Sequence, residues 1–302
     1  MKAKLFWGLF VLGLLPFLMG FLGKYHWILD GFSHFRVYYG FYFLVLGLVS
    51  LLFKQKWISI TNVSLSILIF GNLFWFYNPQ NSFEVVDEIK ILSVNLLSSN
   101  SKYEEIFALI ENENPDIILF QELTHPFSER LPEISGVYQH SYLNPSNGVF
   151  GIGFLSKTKF NFETLYFTSE RIPSIIIKLE NKNLVLIGTH PPPPISEDLF
   201  KLRNQQFDSI NIFVRALSSE VVVIGDLNTT SFSPNFSRIT EGTSLRDSRL
   251  GFGLQPSWNA QIPFISVAID HVLVSKEIKV TDRRVGADIG SDHLPVIIEI
   301  AI

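Results

Sequence analysis

The sequence predicts an α/β or α+β domain, in which sheets pack face to face with helices outside, preceded by three transmembrane helices. Three observations support this fold class. The 302 residues are 47% hydrophobic, which is high for a soluble enzyme, and the excess lies at the N-terminal end. The remaining chain carries many short apolar runs rich in β-branched residues. Only two amphipathic helical segments interrupt these runs, so strands outnumber helices.

The N-terminal region contains three apolar stretches, at about residues 5–22, 37–53 and 58–77. Each is close to the ~20 residues that cross a bilayer as a helix. A cleaved signal peptide is the alternative for the first stretch, and buried core helices are the alternative for the other two. We therefore predict a membrane region at residues 1–80, with three transmembrane helices, and one globular domain at residues 83–302.

Basic residues next to the apolar stretches indicate how the chain is oriented. Lys2 and Lys4 precede the first stretch, and Lys54 and Lys56 lie between the second and third. Because Lys and Arg are enriched in cytoplasmic loops, both groups are expected in the cytoplasm. Three crossings then predict a multi-pass protein of the cell membrane whose C-terminal domain is extracytoplasmic.

The charge of the C-terminal region limits its ligands. Residues 81–302 contain 18 Lys and Arg against 27 Asp and Glu, a balance of −9. Non-specific nucleic-acid binding depends on basic side chains that neutralise phosphates, so stable binding of DNA or RNA is not expected. A divalent cation and a compact phosphate are compatible with this balance.

Periodicity locates the elements of this region. Apolar residues recur at helical spacing in Tyr103–Glu113 and Leu199–Leu217, which predicts two helices. Short apolar runs predict the strands. The predicted strands cover 90–94, 116–120, 149–155, 161–167, 174–180, 184–189, 221–224, 268–274 and 294–300.

Polar residues follow the ends of several predicted strands. Val221–Ile224 leads into Gly225-Asp226-Leu227-Asn228, and a period of two places Asp226 and Asn228 on the same side of the chain. An ordinary turn is the alternative for this segment alone. The same pattern occurs at other apolar runs, which are followed or preceded by Asn95, Gln121-Glu122, His190, Asp270 and Asp292-His293.

These residue types fit the hydrolysis of a phosphate ester. The reaction requires neutralisation of the phosphoryl charge, activation of a water molecule and stabilisation of the leaving alkoxide. Glu122 and Asp292 are hard oxygen donors suited to Mg²⁺ or Mn²⁺. Asn95 and Asn228 could orient water, contact the metal or donate to the phosphate.

Acid and base candidates complete this set. Asp226 could orient the attacking water as a base, and His190 and His293 could contact phosphoryl oxygens or transfer protons. Asp270 could hold His293 in one tautomer and favour its protonated form. Zinc is the competing metal, but the histidines lack zinc-type spacing. A serine hydrolase is disfavoured because Ser291 lacks a glycine-flanked elbow.

The ordered motifs resemble those of the endonuclease/exonuclease/phosphatase family, which has the DNase I-like fold. The resemblance covers nearly all of residues 88–302 and implies a four-layer α/β sandwich and a divalent-metal phosphoesterase. It implies that Glu122 is the main metal ligand, with Asn95 and Asp292 nearby. It assigns Asp226 and Asn228 to water activation and phosphate contact, Asp270 to orienting His293, and His190 to the phosphate. The motifs are Ser-Val-Asn95, Phe-Gln-Glu122, Gly-Thr-His190, Gly-Asp226-Leu-Asn228, Ile-Asp270-His-Val and Gly-Ser-Asp292-His293-Leu-Pro.

The membrane spans make the chain similar to a bacterial membrane-anchored branch of this family that includes a teicoplanin-resistance membrane protein. That similarity suggests an inner-membrane phosphatase acting on a polyprenyl or other lipid phosphate. A tethered domain meets bilayer lipids at high effective concentration. An exported nuclease, a sphingomyelinase-like phosphodiesterase and an inactive binding module are the alternatives, and the spans could also be only an anchor.

For three further residues the sequence leaves a functional role undecided or favours a purely structural one. Trp258 could line the substrate entrance or pack in a loop. Arg203 could reach a phosphate, although an exposed helix arginine is the default expectation. His34, in the first loop between apolar stretches, is expected to have no chemical role.

Overall fold

The computed structural model describes residues 2–78, 88–180 and 182–302. Helices α1 (Lys2–Gly20) and α4 (Lys56–Gly71), the latter continued by a 3₁₀ turn to Phe76, are long and apolar enough to cross a membrane. The pair α2–α3, bent by 60°, supplies a third crossing if it counts as one span, so two or three spans replace the predicted three. The predicted domain boundary near residues 80–83 lies outside the described residues. The four helices are α1 (Lys2–Gly20), α2 (Trp27–Ser33), α3 (Arg36–Leu52) and α4 (Lys56–Gly71).

The described residues of the C-terminal domain form two six-stranded mixed sheets and four α-helices. The first sheet has the strand order β11-β12-β1-β2-β4-β3, and the second has the order β5-β6-β7-β8-β10-β9. The strands are β1 (Glu88–Asn95), β2 (Ile117–Gln121), β3 (His140–Asn144), β4 (Ile152–Ser156), β5 (Phe160–Tyr166), β6 (Pro173–Leu179), β7 (Leu184–Thr189), β8 (Glu220–Asp226), β9 (Leu245–Asp247), β10 (Asp270–Ser275), β11 (Lys279–Val285) and β12 (Val296–Ala301). The helices are α5 (Tyr103–Glu113), α6 (His125–Ser128), α7 (Glu197–Arg215) and α8 (Ser237–Thr240).

The two sheets pack face to face, and a helix covers the outer face of each. Ile91 and Leu119 of the first sheet share one buried core with Leu186 and Val222 of the second. Helix α5 packs on the outside of the first sheet, and α7 packs on the outside of the second. This arrangement is the predicted DNase I-like sandwich with four layers. Each half contains a parallel β-α-β unit, β1-α5-β2 and β7-α7-β8.

The sequence located the buried strands better than the strands at the sheet margins. Helix α5 has the predicted bounds, and α7 begins two residues early because Ser196 caps it, accepting from the backbone N–H of Leu199. Strands β3, β9 and β11 were not predicted. All three are edge strands; the side chains of β3 and β11 are partly exposed, and β9 has only three residues, so none of them forms a long apolar run.

The N-terminal helical region, predicted to lie in the membrane, docks directly onto the C-terminal domain. The Arg203 guanidinium of α7 donates to Asp30 Oδ2 of α2 at 2.8 Å and to the Asn228 carbonyl oxygen at 3.1 Å. Both charged side chains are fully buried. The expectation of an exposed Arg203 is therefore wrong, because an acidic partner from the membrane region covers it. Asn235 also donates to Asp30 Oδ1, at 3.2 Å.

Further contacts hold the other helices at the same interface. The Tyr38 hydroxyl of α3 donates to the carbonyl oxygen of Ser266 at 2.7 Å. After α4, the carbonyl oxygens of Trp75 and Phe76 accept from the backbone N–H groups of Gly251 and Gly253. The two regions are thus joined at several points along the chain.

Removing one partner of the buried ion pair should destabilise the protein strongly. We expect Asp30→Asn to lower the free energy of unfolding by about 3–5 kcal/mol, because Arg203 then stays buried without its counter-charge. The double variant Asp30→Asn, Arg203→Met should recover part of this loss. Unfolding of the full chain in detergent measures both effects.

The matched control is Glu197→Gln, which breaks the exposed Lys201–Glu197 pair on the same helix. It should leave the unfolding midpoint unchanged, because exposed pairs are screened by solvent. Equal stability of Asp30→Asn and wild type would contradict the structural role of the buried pair.

Candidate active site

The polar strand ends meet at one rim of the two sheets. β1 and β2 are parallel, as are β7 and β8, so the carboxyl ends of the strands in each pair lie on the same side. β10 runs antiparallel to β8, and its first residue, Asp270, pairs with Asp226, the last residue of β8. A hydrogen bond of 3.1 Å between Asn95 Nδ2 and Asp226 Oδ2 joins the rims of the two sheets.

Gly225 allows the ends of β7 and β8 to approach each other. Its φ is +142°, and a Cβ at this position would collide with the carbonyl oxygen of Thr189. Only glycine tolerates both conditions without strain. The close approach brings His190, which follows β7, next to Asp226.

Asp226 is the central carboxylate of the site. It is 1% exposed, and its Oδ2 lies 3.5 Å from His190 Nε2 and 3.6 Å from His293 Nε2. Its Oδ1 accepts from the backbone N–H of Asn228 at 2.8 Å. Burial favours the neutral acid, but the charges of the two imidazoles and these hydrogen bonds outweigh it and lower the pKa of Asp226. Asp226 is therefore ionised at neutral pH.

His293 forms a buried dyad with Asp270. Its Nδ1 donates to Asp270 Oδ2 at 2.8 Å, which fixes the ring and leaves Nε2 facing Asp226. Burial opposes the charged imidazolium, but Asp270, Asp226 and Asp292 favour it and together raise the pKa of His293 to about 10. The predicted orienting contact between Asp270 and His293 is present in the structure.

The Nε2 atom of His190 faces Asp226, whereas its Nδ1 atom has no partner among the described residues. Burial alone would lower its pKa, yet the hydrogen bond and charge of Asp226 and the charge of Glu122 raise it. Its Nδ1 is buried and has no hydrogen-bond partner in the described part of the chain. A buried N–H without a partner is costly, so it marks a position where a ligand oxygen or water would be favourable.

Glu122 and Asn228 occupy left-handed backbone conformations beside the site. Their φ angles are +54° and +49°, values that few residues other than glycine adopt and that cluster at functional sites. Glu122 Oε2 accepts from the backbone N–H of Ser98 at 2.8 Å. Asn228 Nδ2 donates to the carbonyl oxygen of Pro191 at 3.0 Å, so this amide also ties down the proline segment after His190.

Asp292 is linked to Trp258. The indole Nε1 of Trp258 donates to Asp292 Oδ2 at 2.9 Å, while Asp292 Oδ1 lies 4.0 Å from His293 Nε2. Trp258 therefore contacts a predicted site residue, which its sequence context could not establish. Asp292 is partly exposed, with a quarter of its side chain accessible.

Three buried side chains form a group that could hold a metal ion. The ligand atoms of Asp226, Asp270 and His293 lie within 4.8 Å of one another. Carboxylate oxygens suit Mg²⁺ and Mn²⁺. The predicted ligands Glu122, Asn95 and Asp292 do not belong to this group. They lie around it: Asn95 bonds Asp226, and the charges of Glu122 and Asp292 act on the two histidines.

The Asp270–His293 dyad predicts a specific pH response of the metal-free protein. The imidazole of His293 should titrate near pH 10, and Asp270→Asn should lower its pKa toward 6.5 because the nearest negative charge is lost. ¹⁵N NMR of histidine-labelled protein measures both values, with the signal assigned by His293→Gln. A wild-type value near 6.5 would contradict the dyad's electrostatics.

The same shift has a consequence for stability. Since the pKa of His293 is raised on folding, its contribution is complete below pH 6.5 and is lost as the pH rises toward 10. The stability advantage of wild type over Asp270→Asn should therefore shrink across this range.

Comparisons with known proteins agree with this site and fold. A family model described as the endonuclease/exonuclease/phosphatase family matches residues 92–293. No curated protein matches the chain.

Several solved structures share the fold. A humanized D. rerio TDP2 is 16% identical, with 71% of this chain and 99% of that chain covered and a TM-score of 0.60. An AP endonuclease from Archaeoglobus fulgidus is 15% identical, with 70% and 98% covered and a TM-score of 0.59. An endonuclease/exonuclease/phosphatase from Beutenbergia cavernae is 17% identical, with 72% of each chain covered and a TM-score of 0.56. At these identities the likeness shows the fold.

The family match spans about two thirds of the chain and includes every residue of the rim described above, from Asn95 to His293. The chain therefore belongs to the endonuclease/exonuclease/phosphatase family and is a metal-dependent phosphoesterase.

Proposed function

We propose that the protein hydrolyses a phosphate ester or pyrophosphate of a membrane lipid, such as a polyprenyl (pyro)phosphate, on the extracytoplasmic side of the cell membrane. The observation that carries this proposal is the bonding of the membrane region to the site itself. The Arg203 guanidinium joins Asp30 of α2 to the carbonyl oxygen of Asn228, two residues from Asp226. This contact supports a fixed position of the rim close to the bilayer.

Charge supports a lipid phosphate over a nucleic acid. The balance of −9 over residues 81–302 repels a polyanion, whereas a single phosphate group needs only a few donors, and the two buried imidazoles, whose pKa values are raised by neighbouring acids, are suited to that role. The family match does not distinguish branches, so membership of the membrane-anchored branch stays a prediction.

We assign the metal to Glu122, Asn95 and Asp292 and the proton chemistry to the Asp226 group. This division is favoured because His293 Nδ1 is already bonded to Asp270, and because in the metal-free protein its three acidic neighbours favour the protonated imidazole. Within the described chain, one oxygen of Glu122 and one of Asp292 accept no hydrogen bond and remain available as ligands. A bound Mg²⁺ or Mn²⁺ would neutralise phosphoryl charge and polarise the phosphorus–oxygen bond.

The side chains of the site then act as general base, general acid and phosphate donors. Ionised Asp226 accepts a hydrogen bond from the attacking water, orients it and takes its proton as the water oxygen bonds to phosphorus. His293, held by Asp270, donates its Nε2 proton to the leaving oxygen as the bond between that oxygen and phosphorus breaks. His190 and the amides of Asn95 and Asn228 donate to phosphoryl oxygens, and the buried Nδ1 of His190 supports this role.

The positions of the lysines support the proposed orientation. Lys2 Nζ lies 5.1 Å from the ring centroid of Phe53, so the start of α1 is next to the α3–α4 turn. Lys2, Lys4, Lys54 and Lys56 are therefore at the end of the bundle opposite the docking interface. The positive-inside rule favours a cytoplasmic location for this end and the other side of the membrane for the catalytic domain.

Substitutions in the site should abolish metal-dependent lipid hydrolysis. We expect Asp226→Asn and His293→Ala to lower kcat by about 10²–10⁴-fold, because each removes a proton-transfer group. Full-length protein in detergent is assayed with polyprenyl phosphates, polyprenyl pyrophosphates, sphingomyelin and plasmid DNA, with Mg²⁺, Mn²⁺ or chelator.

Asp198→Asn and His125→Ala are matched controls, because both residues are exposed and lie outside the site. They should retain wild-type rates. Hydrolysis of DNA but of no lipid would overturn the proposed substrate class, and unchanged rates in Asp226→Asn and His293→Ala would overturn the mechanism.

The orientation can be tested with single cysteines, since the chain has none. Ser218→Cys, on the catalytic domain, should react with a membrane-impermeant maleimide in spheroplasts. Lys56→Cys, at the opposite end of the bundle, should react only after permeabilisation. The reverse pattern would place the catalytic domain in the cytoplasm.

A further inference from the structure

A cavity lies between the membrane region and the catalytic domain. Its volume is about 150 Å³. One wall comes from the first turns of α3, and the opposite wall comes from two loops of the catalytic domain. The lining residues include Val37, Tyr38 and Phe41 of the helix and Thr230, Val267 and Ala268 of the loops.

The lining of the cavity is apolar because its polar groups are bonded elsewhere. The hydroxyl of Tyr38 donates to the carbonyl oxygen of Ser266. The guanidinium of Arg249, at the same cavity, bonds Asp247, Ser231 and the carbonyl oxygen of Leu254. No counter-charge is therefore needed from an occupant, and an apolar group fits the lining best.

The catalytic-domain wall belongs to chain segments that also carry active-site residues. Thr230 lies two residues after Asn228, and Ala268 lies two residues before Asp270. Val267 forms a β-bridge with Trp258, whose indole bonds Asp292. The cavity is therefore formed by the chain segments that also carry the rim.

The helix wall leads away from the catalytic domain into the bundle. Phe41, Val45, Leu48 and Leu52 recur at helical spacing along α3, and each is more than half exposed. They form one apolar stripe that starts at the cavity and runs to the lysine-bearing end of the bundle. Such a stripe on a helix of the membrane region faces hydrocarbon.

We infer that the cavity receives the first apolar unit of a lipid substrate's chain, while the phosphate is held at the rim. An apolar cavity of about 150 Å³ accommodates a benzene-sized group, which is close in size to one isoprene unit. The rest of the chain continues along the α3 stripe into the bilayer. This inference rests on the proposed function and specifies the apolar part of the substrate.

Photo-crosslinking tests this assignment without requiring turnover. The probe is a geranyl phosphate analogue with a diazirine on its first isoprene unit, added to the full-length protein in detergent. We expect adducts on the catalytic-domain peptides that contain Thr230 and Val267–Ala268, mapped by mass spectrometry. Val37→Trp, which fills the cavity from the helix side, should reduce these adducts at least tenfold.

Val49→Trp is the matched control, because this valine lies on the same helix, is partly exposed and does not line the cavity. It should leave labelling unchanged. Ala268→Leu fills the cavity from the other wall and should act like Val37→Trp, so a folding defect in one variant does not decide the outcome. Equal labelling in wild type, Val37→Trp and Ala268→Leu, or adducts restricted to the transmembrane helices, would overturn the inference.

The outcomes separate this inference from the proposed function. Labelling of the cavity without hydrolysis of any lipid phosphate would contradict the function and support the cavity as a chain-binding site. Hydrolysis of prenyl phosphates without labelling of Thr230 or Val267–Ala268 would support the function and contradict the cavity assignment.

Discussion

The buried guanidinium of Arg203 is the interaction on which the relative placement of the two regions depends. It is charged, fully buried and bonded to both sides, to Asp30 of the membrane region and to the Asn228 carbonyl oxygen at the site. A buried ion pair of this kind contributes little net stability compared with apolar residues of the same shape, but it strongly penalises separation of its partners. Its main effect is therefore to specify one docking geometry between the N-terminal helices and the catalytic domain.

The electrostatics of the rim follow from the fold in the same way. Strand pairing brings Asp226 and Asp270 side by side, and two such carboxylates in a buried place would repel each other. His293 lies against both of them, and His190 adds a second imidazole next to Asp226. The histidines balance the acids, which explains why both histidine pKa values are raised although burial opposes this.

Much of the fold and part of the site could be predicted from the sequence. Central strands such as β2 and β7 are buried on both faces, so they read as unbroken apolar runs, and polar residues after such runs are easily recognised. The edge strands β3, β9 and β11 lack this signal. The contacts among Asn95, Asp226 and His293 depend on how two sheets face each other, which no local pattern encodes.

The docking interface between the N-terminal helices and the catalytic domain could not be predicted from the sequence. Arg203 occurs in an amphipathic helix where an exposed position is the default, and its partner is 173 residues away. One signal was present: Asp30 is the sole acidic residue among the first 80, and an ionisable residue beside membrane spans usually has a functional partner. His34 likewise contacts Thr230, at 3.0 Å, instead of lying free in a loop.

The rigid attachment of the rim to the bundle has a kinetic consequence. If the N-terminal helices span the bilayer and the substrate is a lipid of that bilayer, as proposed, the relevant concentration is the number of substrate molecules per unit area of membrane, because the catalytic domain cannot move away to sample the bulk solution. Rates should then follow the mole fraction of substrate among the surrounding lipids and fall when inert lipid or detergent dilutes it, even at constant total substrate. For the proposed lipid substrate, the enzyme's search would then be lateral diffusion in two dimensions.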